Sequence, residues 1–130
     1  MSPENDAALC ASYPRLYRDR HSPESCMIYG FACGNGWYSI IDKMSAALEQ
    51  LTVAQGEEHA CAVQVKEKFG TLRVYLRGAT AEMYAILDLA VAESAHTCER
   101  CGSPGWLRMD DYRQVLCDGC YVPRNDDDEC

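Results

Sequence analysis

Four cysteines near the C-terminal end are spaced for metal chemistry. Cys98 and Cys101 form one Cys-x-x-Cys pair, Cys117 and Cys120 form another, and fifteen residues separate the two pairs. A Cys-x-x-Cys turn puts two sulfurs on one side of a tetrahedron, the geometry in which zinc takes four thiolate or imidazole ligands. Gly102, directly after the first pair, lets the backbone double back so that its amides face the sulfurs. Four protein sulfurs leave no open coordination position, so the expected cofactor is one structural Zn²⁺ rather than a catalytic ion. Iron in a rubredoxin-like site is the chemical alternative that an all-thiolate set allows. His96 is a candidate substitute ligand, although it equally suits a helix C-terminus, where positive charge is favourable. The remaining cysteines, Cys10, Cys26, Cys33, Cys61 and Cys130, are scattered, and nine in 130 residues fall below the ~8–10% of a disulfide scaffold.

Residues 61–77 carry a second candidate surface. Val63 and Val65, then Leu72, Val74 and Leu76, alternate with polar residues on either side of Phe69-Gly70. That pattern predicts a β-hairpin with one buried face. The other face then gathers Lys66, Lys68, Arg73 and Arg77 around Tyr75. It could dock an acidic partner protein, or hold a nucleic-acid strand with Tyr75 stacked on a base. A solvated strand face whose charges discourage edge pairing is the plain alternative. Alternation places Glu67 with the valines, where it must reach solvent at the strand end or pair with a neighbouring arginine.

Other candidates are weaker. His21 and His59 fall in loops or edges and read as surface residues. Cys33-Gly34-Asn35-Gly36 reads as a tight turn entering a helix, with Trp37 in the core. The acids Asp126, Asp127, Asp128 and Glu129 read as a solubilising terminus. Nothing resembles a phosphate loop, a hydrolase elbow or a paired-carboxylate site, so no catalytic residue and no enzyme are expected.

The elements that must position these residues follow from period and punctuation. Ser2-Pro3 starts a short helix that Pro14 stops. Residues 19–26 read as a loop and residues 27–33 as an extended run. Trp37, Ile40, Ile41, Met44, Leu48 and Leu51 repeat at helical spacing, closed by Gln55-Gly56. Thr80 caps a second amphipathic helix marked by Met83, Tyr84, Leu87, Ala90 and Val91. Trp106–Met109 and Tyr112–Leu116 are β-prone runs around Asp110-Asp111, a small hairpin that returns the second cysteine pair to the first. A zinc ribbon fits this best, and a truncated treble clef is the other shape allowed. The expected fold class is α+β: two amphipathic helices and a β-hairpin with a C-terminal zinc ribbon. Residues 1–97 form the body, residues 98–122 the ribbon packed against the second helix, and residues 123–130 an acidic tail expected to be disordered.

Length and charge bound the partners. The chain of 130 residues with 48% hydrophobic and 25% charged residues matches one soluble globular domain. Twenty acids against twelve bases give a net charge of −8, with both ends acidic and the middle neutral. Such a chain is a poor wrapper of duplex DNA, whose binding rests on phosphate neutralisation. No apolar run approaches the ~20 residues of a membrane-spanning helix. The acidic start lacks a basic n-region, so a cytoplasmic address is expected.

Taken in order, Tyr13-Pro14-Arg15-Leu16-Tyr17, Cys33-Gly34-Asn35-Gly36-Trp37, Val65-Lys66-Glu67-Lys68-Phe69-Gly70-Thr71-Leu72-Arg73 and Cys98-Glu99-Arg100-Cys101-Gly102-Ser103-Pro104-Gly105 resemble a widespread group of small bacteriophage and prophage proteins. The similarity runs over most of residues 13–120. Members of that group usually end the metal site in Cys-x-x-His, where this chain has Cys117-x-x-Cys120, and usually have Asp where Asn35 stands. The resemblance carries no known reaction. It implies an accessory protein acting inside a bacterium on a bacterial or phage macromolecule, with inhibition of a host defence complex such as a CRISPR effector as one such role. A nucleic-acid-binding regulator using the basic hairpin and the ribbon is the alternative.

Overall fold

The computed structural model describes residues 1–56, 59–110 and 112–122. The expected tail over 123–130 and Asp111 of the small turn lie outside the described residues. The fold is mixed α+β, with helices α1 (Pro3–Ser12), α2 (Tyr38–Gln55) and α3 (Ala81–Ser94). Strands β1 (Phe31–Ala32), β2 (Cys61–Lys68) and β3 (Thr71–Arg77) form one sheet in that order; β4 (Trp106–Met109) and β5 (Arg113–Leu116) form a second.

Local chemistry explains the helix boundaries. The Ser2 hydroxyl accepts from the Asn5 amide at 3.2 Å, and Pro3 takes the first helical position of α1, where its missing N–H costs nothing. The Thr80 hydroxyl accepts from the Met83 amide at 3.3 Å to open α3. Helix α2 buries Ile40, Ile41, Met44, Leu48 and Thr52 on one stripe, and Gly56, at φ 76°, ends it. Helix α3 buries Met83, Leu87 and Ala90. Tyr84, which the periodicity places on the apolar face, is 54% exposed.

Two further sequence expectations change. The run 27–33 is not extended throughout. Cys26–Tyr29 coils into a 3-10 turn whose cap is the Ser25 hydroxyl, accepting from the Met27 amide at 3.1 Å. Only Phe31 and Ala32 pair, in parallel, with Val65 and Lys66. The second change is in β2, where a bulge between Ala62 and Gln64 shifts the phase. Ala62 pairs with Leu76 and Gln64 with Tyr75. Ala62 and Val65 are therefore fully buried, and Val63, expected in the core, is half-buried.

Strands β2 and β3 pair antiparallel through Phe69-Gly70, with φ of 55° and 83°. Both central residues of such a two-residue turn need positive φ. Glycine adopts this freely, whereas for an aromatic residue it costs about 1–2 kcal/mol. Helices pack on one face of this sheet, and Trp37, Ile41, Leu48, Leu72 and Met83 are fully buried between them. Each such side chain stabilises the fold by roughly 1.5–3 kcal/mol. Among the described residues, no helix is long and apolar enough to cross a membrane.

Candidate metal centre

Helix α3 runs into the first cysteine pair almost without a linker. The Thr97 hydroxyl donates to the Glu93 carbonyl at 2.8 Å and ties off the helix end. The chain then turns back on itself: the Gly102 amide donates to the Cys98 carbonyl at 2.9 Å, and the Cys98 amide to the Ser103 carbonyl at 2.7 Å. Gly102 has φ 83°, which a residue with a side chain would resist. Strands β4 and β5, paired from Trp106–Leu116 to Met109–Arg113, carry the chain out and back. The Cys120 and Tyr121 amides close the second pair on the Cys117 carbonyl at 3.2 and 3.0 Å.

This brings the four sulfurs of Cys98, Cys101, Cys117 and Cys120 within 4.8 Å of one another. The Cys101 and Cys117 sulfurs are 3.6 Å apart. A tetrahedron with metal–sulfur bonds of ~2.3 Å separates its sulfurs by ~3.8 Å, so the set fits one ion. His96 is exposed and lies outside the cluster. Cys10, Cys26, Cys33 and Cys61 are free of disulfides.

The sulfurs differ in how they hold protons. The Ser103 hydroxyl, helped by its amide, lowers the Cys101 thiol to about 6. Burial works against ionisation of Cys98, but the amides of Cys117, Cys101 and Arg100 outweigh it and hold that thiol down. Cys120 is pushed up to about 12 by Cys117, Cys101 and Cys98. Four thiolates at this spacing would repel one another, and a cation at their centre would offset that repulsion, which would tie metal binding to ligand deprotonation.

The first cysteine loop is seated on the body by the Cys33–Trp37 segment. The Gly36 amide donates to the Glu99 carbonyl at 2.7 Å. The Gly34 amide donates to Glu99 Oε2, and the Trp37 indole to the Thr97 carbonyl, both at 2.9 Å. From the other side, the Glu99 amide donates to the Val115 carbonyl at 2.9 Å, joining the loop to β5. Glu99 is 7% exposed, and among the described residues its Oε1 has no partner. Burial raises its carboxyl above the ordinary range, against the lowering effect of the Gly34 amide. Gly34 and Gly36 permit this approach, since a Cβ on either would collide with the 98–99 backbone.

Arg108 plays the corresponding part at the second pair. Its Nε and Nη2 donate to the Leu116 carbonyl at 3.1 and 2.9 Å, and Nη2 also donates to Asp118 at 2.9 Å. The guanidinium lies 4.3 Å from the Tyr121 ring centre and 5.6 Å from that of Trp106. An arginine stacked between aromatics thus fixes the carbonyl just before Cys117. Sequence reasoning missed Glu99 and Arg108, for which the chain carries no local signal. It did see the glycines flanking Asn35, but only as a turn.

The candidate docking residues divide. Lys66 and Arg73 pair across the strands, and the Lys66 ammonium lies 5.9 Å from the Tyr75 ring centre, so these three share the outer face. Lys68, at the turn, lies 5.6 Å from the Phe69 ring centre. Arg77 is committed to Asp19 at 3.2 Å. Glu67 pairs with no arginine among the described residues; its Oε1 accepts from the Gly70 amide at 2.9 Å and braces the turn. Comparison with protein-family models, curated proteins and solved structures gives no match.

Proposed function

We propose that the chain is a non-enzymatic, zinc-binding accessory protein of the phage type, acting in a bacterial cytoplasm by binding a bacterial or phage macromolecule. The ion assigned to the four sulfurs is a single structural Zn²⁺, and residues 98–122 are assigned as a zinc ribbon on the α+β body. A host defence complex such as a CRISPR effector is the target class that the phage-like motifs favour. The observation that carries the reading is the closed set of four sulfurs. With every ligand supplied by the protein, an ion there builds shape rather than chemistry. Lys66, Arg73 and Tyr75, with Lys68 at the turn, then offer a cationic, aromatic face on a chain of net charge −8. Such a face suits an acidic partner, for which charge complementarity sets encounter rate and specificity.

Lys66→Glu combined with Arg73→Glu tests this. Arg73 is exposed and Lys66 half-buried on the outer face, so the stability cost should stay at about 1 kcal/mol, with zinc content unchanged. Activity against host defence, assayed as phage survival in defended bacteria, should be lost. Undiminished activity would remove this face from the account. The wild type should not bind random oligonucleotides at physiological salt. Submicromolar binding, with a log–log salt slope of about 0.7 per phosphate contact on single strands, would replace the reading with a nucleic-acid-binding regulator.

A further inference from the structure

Helix α3 carries two stripes, and the body uses one of them. Met83, Leu87, Ala90 and Ser94 face the core and are buried. On the other side Glu82, Ala85, Leu89, Ala92 and His96 repeat at spacings of three, four, three and four, and all five are exposed. That alternation is the seam of a coiled coil, and it keeps the five residues on one side of the helix over about 21 Å. The turn continues as far as His96, whose amide donates to the Glu93 carbonyl at 3.1 Å. No lysine or arginine occurs in α3, and Leu89 is 73% exposed. A helix apolar on all sides is a buried one, yet here the centre of the outer stripe meets water. The apolar surface continues from Leu89 into a groove of about 330 Å³ between α2 and α3, lined by Met44, Ala47 and Ile86. The two charged residues of that groove, Lys43 and Glu93, pair at 2.9 Å and leave it without net charge.

The order of residues along the stripe identifies the occupant. Leu89 is the midpoint, flanked by Ala85 and Ala92, with Glu82 and His96 each seven positions away. A second copy laid antiparallel about a two-fold axis at Leu89 therefore matches the stripe to itself. The two leucines then lie side by side, the alanines allow close approach, and each Glu82 stands opposite the other copy's His96. Among the described residues, neither Glu82 nor His96 forms an ion pair. A neutral imidazole still has one N–H to donate to a carboxylate, so the match does not depend on histidine charge. Parallel pairing would instead set each Glu82 against its own copy. Asp88 lies at the flank of the stripe, where water and salt screen its approach to its counterpart.

We infer that the protein is a homodimer joined along the exposed stripe of α3, the two helices antiparallel. The interface is isologous and closes at two copies. The inference does not depend on the target class proposed above. Because the helices cover one face of the β1–β2–β3 sheet, this pairing leaves Lys66, Arg73 and Tyr75 free on the opposite face of each copy.

Sedimentation velocity on the zinc-loaded protein tests the inference. A seam of one helix lies at the small end of specific interfaces, so the mass should rise from one chain of 14.5 kDa to two across roughly 1–100 µM. Leu89→Glu should weaken the dimer at least about tenfold, with zinc content and circular dichroism unchanged. Ala92→Glu, also at an exposed site, should do the same and serves if the first variant folds poorly. Glu82→Lys and His96→Glu should each weaken the dimer singly, and together should restore it, a rescue that antiparallel pairing alone allows. Zinc is measured in every variant, since His96 stands close to Cys98 in sequence. A single chain at every concentration, growth beyond two chains, dimers of Leu89→Glu and Ala92→Glu as tight as wild type, or no rescue in the double variant would each overturn the inference.

Discussion

Gly36 and Glu99 meet backbone to backbone: the Gly36 amide donates to the Glu99 carbonyl at 2.7 Å, and a Cβ on Gly36 would lie 2.5 Å from the Glu99 carbonyl carbon. Neither atom can swing aside as a flexible side chain could. The body of the protein therefore holds the first cysteine loop at a distance that only glycine permits.

Gly36→Ala should push that loop off its seat. A cost of about 1–3 kcal/mol is expected, as for other overpacked sites, together with faster zinc loss to a chelator. Gly56→Ala is the comparison. Gly56 has φ 76° and, among the described residues, nothing within 4 Å of a Cβ, so alanine there brings backbone strain of about 1–2 kcal/mol and no change in zinc release. Equal release rates in the two variants would mean that the seat does not support the metal loop.

Stability should fall on the alkaline side. Burial, with Glu99 nearby, pushes the Cys33 thiol up to about 12, and burial, with Asp6, takes Cys10 to about 11. The hydrogen bond to Asp42 raises Tyr13 to about 12, and burial raises Tyr17. In the unfolded chain, cysteine releases its proton near ~8.5 and tyrosine near ~10. Between these ranges the folded state binds more protons, so the stability contributed is complete below the unfolded values and is lost as pH rises towards the folded ones. Urea midpoints should decline from about pH 9 upward, and less steeply in Cys33→Ala. A midpoint that stays level across that window would contradict the buried, protonated thiols.

Much of this molecule was legible where one residue type repeats at a fixed interval. Ile40, Ile41, Met44 and Leu48 announce α2, and all four are buried. Ser2 and Thr80 announce helix starts and cap them. The two Cys-x-x-Cys pairs announce a cluster, and their sulfurs converge. What stayed hidden depends on partners distant in sequence. The β2 bulge is a mismatch of two strands, visible only when Ala62 meets Leu76 and Gln64 meets Tyr75. Strand β1 is two residues long and exists because Val65 and Lys66 lie beside it. The support of the metal site by Gly34, Gly36 and Glu99 spans more than sixty positions of chain, and no local pattern encodes that.

Metal content is the most direct test of a zinc-stabilised binding module. Elemental analysis of the purified protein should return about one zinc per chain, and chelation should dissolve the packing of residues 98–122 on the body, seen as loss of near-ultraviolet circular dichroism from Trp37 and Trp106. Ser at Cys98 or Cys117 should reproduce that loss. A chain that folds fully with no metal, or one in which a disulfide links two of the four cysteines, would contradict the account.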